Sequence, residues 1–350
     1  MRVGLLANIK PEGMDLWNRT SDGGMDDTYA EWDTMETIEA VRAALQSHPG
    51  IECEIVEALP EVALPKLLVR PYDIVFNLAE GMRGADREAQ FPALLEMLGI
   101  PYTGSGPWAL ATALDKGRTK ECLAFHKVPV GQFTMTRDIS ATLEAVLPGI
   151  DFPVVVKPTS EGSSKGVTNS SFAKNNDELQ AEIKRIVTEY NQPAIIEEFL
   201  RGREFTVAVL GNGNEARVLP IVEINLENLP PEANGIYSYE VKWVYDTAEH
   251  PLDIFTCPAK LTKEQEEDIA QAVLAAYHAV GCKDWSRIDV RMDKHGKANI
   301  IEINPLPGIL PNPVDNSCYP KAARTAGMDY NTTMLAVLKA GCKRWGIALP

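Results

Sequence analysis

Apolar and polar side chains alternate most regularly between residues 287 and 304. The apolar members of the first half face one side of a predicted strand, and they are Ile288, Val290 and Met292. The charged members face the other side, and they are Arg287, Asp289 and Arg291. His295 and Gly296 interrupt the pattern and are expected to form a two-residue turn, because glycine tolerates positive φ. The pattern therefore predicts a β-hairpin with one apolar and one polar face.

The polar face of this hairpin gathers groups that can bind a cation. Pairing centred on the predicted turn places Asp289 opposite Glu302. It also places Arg287 opposite Asn304. Like charges directly opposite destabilise a bare hairpin, whereas Mg²⁺ takes carboxylate and amide oxygens as ligands. The alternative is the solvated face of an edge hairpin, on which Arg287 and Arg291 neutralise the acids.

Further polar segments are candidates for contact with a ligand. Residues 305–308 (PLPG) form a stiff turn that can aim a backbone N–H at a substrate, which favours a binding site on the hairpin. The Gly/Ser-rich residues 160–167 can cradle phosphate oxygens or form a plain surface turn. Residues 115–120 carry a basic cluster, for which an exposed helix face is the alternative. Residues 230–246 are polar and aromatic, and we expect a loop that orders over a ligand.

Elsewhere the chain alternates predicted strands and helices. The strands are residues 3–8, 51–56, 72–78, 152–158, 194–200, 205–210 and 218–224. The helices are residues 34–46, 88–98, 107–126, 177–190, 262–280 and 331–339. The alternation in the first hundred residues predicts an α/β region with a parallel sheet. No GxGxxG follows the first strand, so the signature of a dinucleotide-binding fold is missing.

Composition limits the function classes. The 350 residues suffice for two or three domains, and a net charge of −15 argues against nucleic acid or an anionic membrane as partner. The six cysteines show no CxxC spacing, as expected of reduced cytosolic residues. No apolar run is long enough to span a membrane, and the first residues are typical of a strand and not of a signal peptide. We therefore expect a cytoplasmic protein.

Six motifs then occur in an order that resembles a known family. They are DKGRTK, VVVKPTSEGSSKGV, EEFLRGREFTVAVLG, YEVKW, SRIDVRMD and EINPLPG. They resemble the D-alanine–D-alanine ligases of the ATP-grasp superfamily, and the resemblance is clear over residues 70–310. It implies a three-domain ATP-grasp fold with ATP between two antiparallel sheets. The implied domains are a parallel α/β domain at residues 1–112, a central ATP-grasp lid domain at 113–200 and a catalytic domain at 201–350.

The resemblance also implies the residues that bind ATP. Two lysines resemble those that contact the phosphates, and they are Lys116 and Lys157. In the family an inter-domain segment binds adenine, and the residues that resemble it here are Glu197, Glu198, Phe199 and Leu200. Glu204 resembles the acid that binds the ribose hydroxyls. The loop that folds over the phosphates is resembled by Glu161, Ser163, Ser164 and Gly166.

The same resemblance implies a metal site and catalytic groups. Asp289, Glu302 and Asn304 resemble the ligands of one or two Mg²⁺ ions, with Mn²⁺ as a substitute. Arg287 and the Gly308 N–H resemble the donors to an oxyanion. Ser163 and Lys242 resemble catalytic residues of two loops, Lys242 near the γ-phosphate.

The implied reaction is an ATP-dependent joining of a carboxylate and an amine through an acyl phosphate, with release of ADP and phosphate. D-Alanine dipeptide formation for peptidoglycan synthesis is one expectation, and a ligase of another amino acid or a natural-product acid is a second. A nucleotide-binding protein without ligase chemistry is a third. The partners implied are small amino-acid substrates and, by family analogy, a second copy of the chain in a homodimer.

Departures from the family pattern cluster in the segments that bind the amino acids. The N-terminal segment that supplies a glutamate for the first ammonium is missing, and either Glu31 or Asp33 replaces it or both lie in a solvated helix start. The usual His-Gly after the third strand is Glu80-Gly81. The tyrosine after the loop lysine is Trp243, and the serine for the second carboxylate has only Ser317 nearby, at a different spacing. We therefore expect D-alanine to be a poor substrate.

Overall fold

The computed structural model describes residues 1–11, 29–229, 241 and 252–350. Its N-terminal sheet is parallel, as predicted, with strand order β2-β1-β3. These strands are β1 (Arg2–Ala7), β2 (Glu52–Glu57) and β3 (Ile74–Leu78). The accompanying helices are α1 (Met35–Gln46), α2 (Pro60–Leu68) and α3 (Gln90–Leu98). The carboxyl ends of β1 and β3 lead into the polar segments that contribute to the site.

A second sheet is antiparallel, with order β4-β7-β5-β6. Its strands are β4 (Phe133–Thr136), β5 (Val154–Pro158), β6 (Phe172–Ala173) and β7 (Ala194–Glu198). Two helices belong to this part of the chain, and they are α6 (Leu143–Val146) and α7 (Asn176–Glu189). Helix α7 packs Leu179, Ile183 and Ile186 against the sheet in one apolar core. The opposite face is left for polar contacts, because Lys157 and Glu197 project from it.

The third sheet is the largest, with order β11-β10-β8-β12-β13 and β9 paired to β8. Its strands are β8 (Glu204–Leu210), β9 (Arg217–Val218), β10 (Val222–Ile224), β11 (Phe255–Thr256), β12 (Trp285–Met292) and β13 (Ala298–Asn304). The helices around it are α4 (Pro107–Leu114), α5 (Lys116–Phe125), α8 (Lys263–Val280), α9 (Cys318–Thr325) and α10 (Tyr330–Trp345). Alternate residues of β8 enter two different cores: Val207 packs with α8, whereas Leu210 packs with the N-terminal sheet and α10. The two antiparallel sheets and the parallel sheet together form the predicted ATP-grasp architecture.

The hairpin of β12 and β13 has the predicted register at the site but a different turn. Asp289 pairs with Glu302, whereas Met292 pairs with Ala298, so the loop has five residues and not two. A bulge between Asp289 and Val290 shifts the register by one residue. The prediction of a two-residue turn was wrong. The predicted pairing held because the bulge offsets the longer loop.

Other element predictions need smaller corrections. The strand predicted at 218–224 is two strands, since Pro220 has no N–H to donate to a ladder. The helix predicted at 107–126 is two helices, because Asp115 is extended and its side chain accepts a bond from the Arg118 N–H. The helix predicted at 262–280 is confirmed as α8, and it begins with a capping box of Thr262 and Gln265. The domain boundaries at 112/113 and 200/201 remain predictions.

Candidate active site

A cleft of about 380 Å³ brings most of the predicted site residues together. Those that line it are Lys116, Lys157, Glu161, Ser163, Ser164, Glu197, Glu198, Phe199, Leu200, Glu204, Arg287, Asp289, Glu302, Asn304 and Gly308. Gly166 is adjacent to the lining residue Val167. Lys242 and Trp243 lie outside the described residues, and so does most of the predicted loop 230–246. The structure therefore gathers residues that are far apart in sequence around one cavity.

The polar face of the hairpin forms one wall of the cleft. The Thr206 hydroxyl donates to Asp289 Oδ1 at 2.6 Å, and Arg287 Nη2 donates to Asp289 Oδ2 at 3.0 Å. Asp289 and Glu302 side chains are only 16% and 27% exposed, so the alternative of a solvated hairpin face is wrong. The two carboxylates and the amide of Asn304 are hard oxygen donors side by side, which fits Mg²⁺.

Cationic side chains surround Glu302. Lys116 Nζ and Arg287 Nη2 each lie 3.7 Å from a Glu302 oxygen. Burial alone would raise the pKa of Glu302, but Lys116, Lys157 and Arg287 lower it to about 2. The carboxylate is therefore ionised at neutral pH, as a metal ligand has to be.

A buried ion triad lies beside the hairpin. Lys120 Nζ is 2.9 Å from Glu197 Oε1, and Lys157 pairs with Glu197 Oε2. Burial would raise the pKa of Glu197, but Lys120 and Lys157 lower it to about 2. The basic cluster at 115–120 is thus no exposed helix face, since Lys116 and Lys120 are buried and only Arg118 is in solvent. The pairing of Glu197 with Lys157 was not predicted from the motifs.

A guanidinium stacks at the far side of this triad. Arg291 Nη1 donates to Glu204 Oε2 at 3.0 Å, and the Arg291 guanidinium lies 4.5 Å from the Phe199 ring centroid. Burial, as the largest effect, raises the pKa of Glu204. The stacked Arg291 and Phe199 offer a flat apolar and cationic border to the cleft, suited to an aromatic base.

The Gly/Ser-rich loop lies over the cleft and is no plain surface turn. Ser163, Ser164 and Gly166 have φ angles of 51°, 60° and 72°, a left-handed backbone that turns successive N–H groups to one side. A Cβ on Gly166 would lie 2.5 Å from Pro158 Cγ, so glycine is required there. Lys116 Nζ donates to the Glu161 carbonyl and ties the loop to the start of α5.

The opposite end of the cleft is acidic. Glu31 is not in a solvated helix start: Arg87 Nε donates to its Oε2 at 3.0 Å and the Gly162 N–H to its Oε1 at 2.8 Å. Burial would raise the pKa of Glu31, but Arg87 lowers it. Arg87 Nη1 also donates to the Ser160 carbonyl at 3.0 Å, which links the N-terminal segment to the Gly/Ser loop. Arg87 was not predicted as a site residue. It begins a short 3₁₀ turn that precedes α3.

Ser317 also lines the cleft, despite its unexpected spacing. Its Oγ accepts from the Leu310 N–H at 3.2 Å and donates to the Gly308 carbonyl at 3.1 Å. Residues 311–316 connect this turn to Ser317. Ser317 thus holds the turn that carries the Gly308 N–H.

Comparison with known proteins identifies the family. The sequence model of the family described as D-ala D-ala ligase C-terminus matches residues 123–339. The chain is 36% identical over 271 residues to a D-alanine–D-alanine ligase of Haemophilus influenzae, covering 77% of this chain and 83% of that protein. The chain belongs to the D-alanine–D-alanine ligase family.

Two further relatives extend the match to almost the whole chain. An uncharacterized protein y4sG of Sinorhizobium fredii is 35% identical over 321 residues, covering 90% of each chain. The solved structure of the D-alanine–D-alanine ligase of Bacillus anthracis, complexed with ATP, has a TM-score of 0.72 at 21% identity and covers 98% of both chains. This likeness confirms the predicted fold. Within the part of the chain that the structure describes, no helix is long and apolar enough to cross a membrane.

Proposed function

We propose that the protein is an ATP-dependent ligase that joins a carboxylate to an amine through an acyl phosphate. The observation that carries the proposal is the convergence of Asp289, Glu302 and Asn304 on one face of the hairpin, beside Lys116 and Arg287. Three oxygen donors next to cations form a site for a metal–triphosphate. A protein that only binds nucleotide has no need of oxyanion donors beside that site.

In this proposal the cleft aligns the donor carboxylate with the γ-phosphate. Lys116 and Lys157 bind the phosphates, and the turned N–H groups of Ser163 and Ser164 cover them. Mg²⁺, held by Asp289, Glu302 and Asn304, would neutralise the charge that develops on the transferred phosphoryl group. The carboxylate oxygen attacks the γ-phosphorus, and ADP leaves.

The second step forms the amide. The amine attacks the acyl carbon, phosphate leaves, and the amine loses a proton. Arg287 and the Gly308 N–H stabilise the oxyanion of the tetrahedral intermediate, with about 3–4 kcal/mol for one well-placed donor. Arg287 Nε is buried without a hydrogen-bond partner among the described residues, so its N–H is available to donate to the oxyanion. Ser317 positions Gly308 through its carbonyl.

The substrates are small amino acids or related acids. The relative from Haemophilus influenzae is a D-alanine–D-alanine ligase, and D-alanine dipeptide formation in peptidoglycan synthesis is one form of the proposal. The pairing of Glu31 with Arg87 favours the other form, a different acid, because Glu31 is not free to bind an ammonium group. A homodimer and a cytoplasmic location complete the proposal by analogy with the family.

Phosphate release with ATP, Mg²⁺ and pairs of amino acids, D-alanine included, tests this proposal. We expect release to need a carboxylate and an amine together, and D-alanine alone to support it poorly. ATP binding without stimulation by any pair would overturn the ligase and leave a nucleotide-binding protein. Efficient dipeptide synthesis from D-alanine alone would contradict the choice of another acid.

A further inference from the structure

A side chamber of about 50 Å³ opens from the cleft beside the proposed metal site. Chamber and cleft share Glu31, Glu80, Lys116, Glu161, Ser163, Glu302, Asn304 and Leu306 as lining residues. Glu88 reaches only the chamber, and Ala113, Leu114 and Ile303 add apolar wall. We call this space the acid chamber. It has room for more than one water-sized group, since a single water needs about 10–15 Å³.

Most acids of the acid chamber already have a cation or donor. Glu31 is held by Arg87, and Glu302 lies near Lys116. Glu161 accepts a hydrogen bond from Gln192 and lies 3.4 Å from Arg87 and 3.5 Å from Lys165. The charges of these three acids are therefore balanced within the protein.

Glu80 and Glu88 differ from these acids. Neither side chain has a hydrogen bond or an ion pair with any residue that the structure describes. Glu88 is buried, at 8% exposed, whereas Glu80 is half-buried. A buried carboxylate without a partner is costly, so it must be protonated or must receive a cation from outside the chain. Burial is the largest effect that raises the pKa of Glu88, to about 8, and it also raises the pKa of Glu80.

The local backbone holds both carboxylates at the chamber. Glu88 lies in the 3₁₀ turn Arg87–Ala89. The Arg87 guanidinium of this turn donates to Glu31 and holds the turn in place. Glu80 follows β3, and Gly81 after it donates its N–H to Asn8 Oδ1 at 2.9 Å. A Cβ on Gly81 would lie 2.5 Å from the Arg87 carbonyl oxygen, so the two segments pack closely. The backbone segments that carry Glu80 and Glu88 are therefore held in place by packing and hydrogen bonds.

We propose that Glu80 and Glu88 bind a cationic nitrogen group of the acyl-donating substrate, and that the enzyme selects donors with a positive charge beside the reacting carboxylate. This inference rests on the proposed function. The group is a primary ammonium or a guanidinium, because each brings several N–H donors to two carboxylates. The acid chamber adjoins Glu302 and Asn304, so a donor can place its carboxylate at the metal site and its cation between Glu80 and Glu88.

A matched series of donors tests the proposal without knowledge of the natural acceptor. Hydroxylamine replaces the amine: its nitrogen attacks the acyl phosphate, phosphate leaves, and a hydroxamate forms. Hexanoate carries no amine, and norleucine carries only the α-amine. Aminohexanoate carries only a terminal amine, and lysine carries both amines. Arginine adds the guanidinium. The series distinguishes an α-ammonium from a side-chain cation.

We expect wild-type kcat/KM for at least one cationic donor to exceed that for hexanoate by about a hundredfold, the effect of one buried charge partner. Glu80→Gln and Glu88→Gln keep the size of the side chain, and each should reduce this preference at least tenfold, mainly through KM. The preference is a ratio of two donors within each variant, so a general loss of activity does not change it. Glu61→Gln on α2, remote from the cleft, is the control and should keep the wild-type preference.

Two results would overturn the proposal. One is equal use of hexanoate and all cationic donors by the wild type. The other is an unchanged preference in Glu80→Gln and Glu88→Gln, which would assign these acids a structural role only. Absence of hydroxamate from every donor would overturn the proposed function instead. Calorimetric binding of the same donors with an ATP analogue then decides, and hexanoate bound as tightly as lysine would overturn the cation site.

Discussion

The acids at the two ends of the cleft differ in their ion-pair partners. At the proposed nucleotide end Glu197 pairs with Lys120 and Lys157, and Glu204 pairs with Arg291. At the acidic end Glu80 and Glu88 form no ion pair with a residue that the structure describes. At the first end, acids and bases of the chain therefore neutralise one another, and Glu197 holds the two lysines in place for the proposed binding of phosphates. At the second end, the proposed cationic group of the substrate supplies the missing partner.

This difference explains why the motifs match at one end and depart at the other. An ATP site needs the same charges whatever acid is activated, because phosphoryl transfer depends mostly on alignment and neutralisation. The acid end has to fit one substrate, and Glu80 stands there in place of the usual histidine. Four substitutions test this difference.

The largest effect is expected from Glu302→Gln. It removes a ligand charge at the proposed metal site and should lower kcat by about a thousandfold or more, because phosphoryl transfer loses several kcal/mol of charge stabilisation. The protein should still fold, with a lowered melting temperature, because Lys116, Lys157 and Arg287 lose the charge of Glu302. Single-turnover phosphate release measures it, with Glu61→Gln as control, and retained turnover would contradict the metal assignment.

Arg87→Met should destabilise the fold by about 3–5 kcal/mol, because it leaves Glu31 as a buried charge without its partner. Urea unfolding followed by circular dichroism measures the free energy of unfolding. Arg42→Met is the matched control: Arg42 pairs with Glu39 on the surface, and such pairs contribute about 0–1 kcal/mol. Similar losses in both variants would mean that Glu31 is not held as described.

The triad of Glu197 makes stability depend on acid pH. Since the pKa of Glu197 is lowered from 4.5 to about 2, its contribution is complete above pH 4.5 and is lost as the pH falls toward 2. The difference in free energy of unfolding between wild type and Glu197→Gln should shrink by about 2 kcal/mol between about pH 6 and pH 3. Urea unfolding at several pH values checks this. A difference that does not change with pH would contradict the pairing.

Ser317→Ala should have the smallest effect. It removes the hydroxyl that holds the turn at Gly308 and Leu310, so kcat should fall about tenfold while KM for ATP is unchanged. Steady-state phosphate release gives both constants. Thr325→Ala on the exposed side of α9 is the control. A loss confined to the KM for ATP would place Ser317 in nucleotide binding instead.

Local pattern was enough to predict the parallel sheet, the antiparallel hairpin and the capped helix α8, because their periodicity and caps lie within a few residues. No helix was predicted over α2, which has Pro65 in its interior. The hairpin register was right although the turn was wrong, since the bulge after Asp289 cannot be inferred from alternation. Such errors arise where tertiary pairing decides the backbone.

Site residues that act through distant partners were the hardest to predict. Lys116, Lys157 and Glu302 could be named from motifs, but the role of Glu197 depends on Lys120, 77 positions away in the sequence. Arg87 reaches Glu31 across 56 residues. A buried acid in a polar run of the sequence resembles a solvated one, and only the fold separates them.

The central claim is that a substrate carboxylate becomes an acyl phosphate in this cleft, and oxygen transfer tests it most directly. Amino acids labelled with heavy oxygen in their carboxyl groups are incubated with ATP, Mg²⁺ and the protein, and the released phosphate is analysed by mass spectrometry. The account predicts that one labelled oxygen passes from the donor carboxylate into each phosphate. Phosphate that carries oxygen only from ATP and water would contradict it.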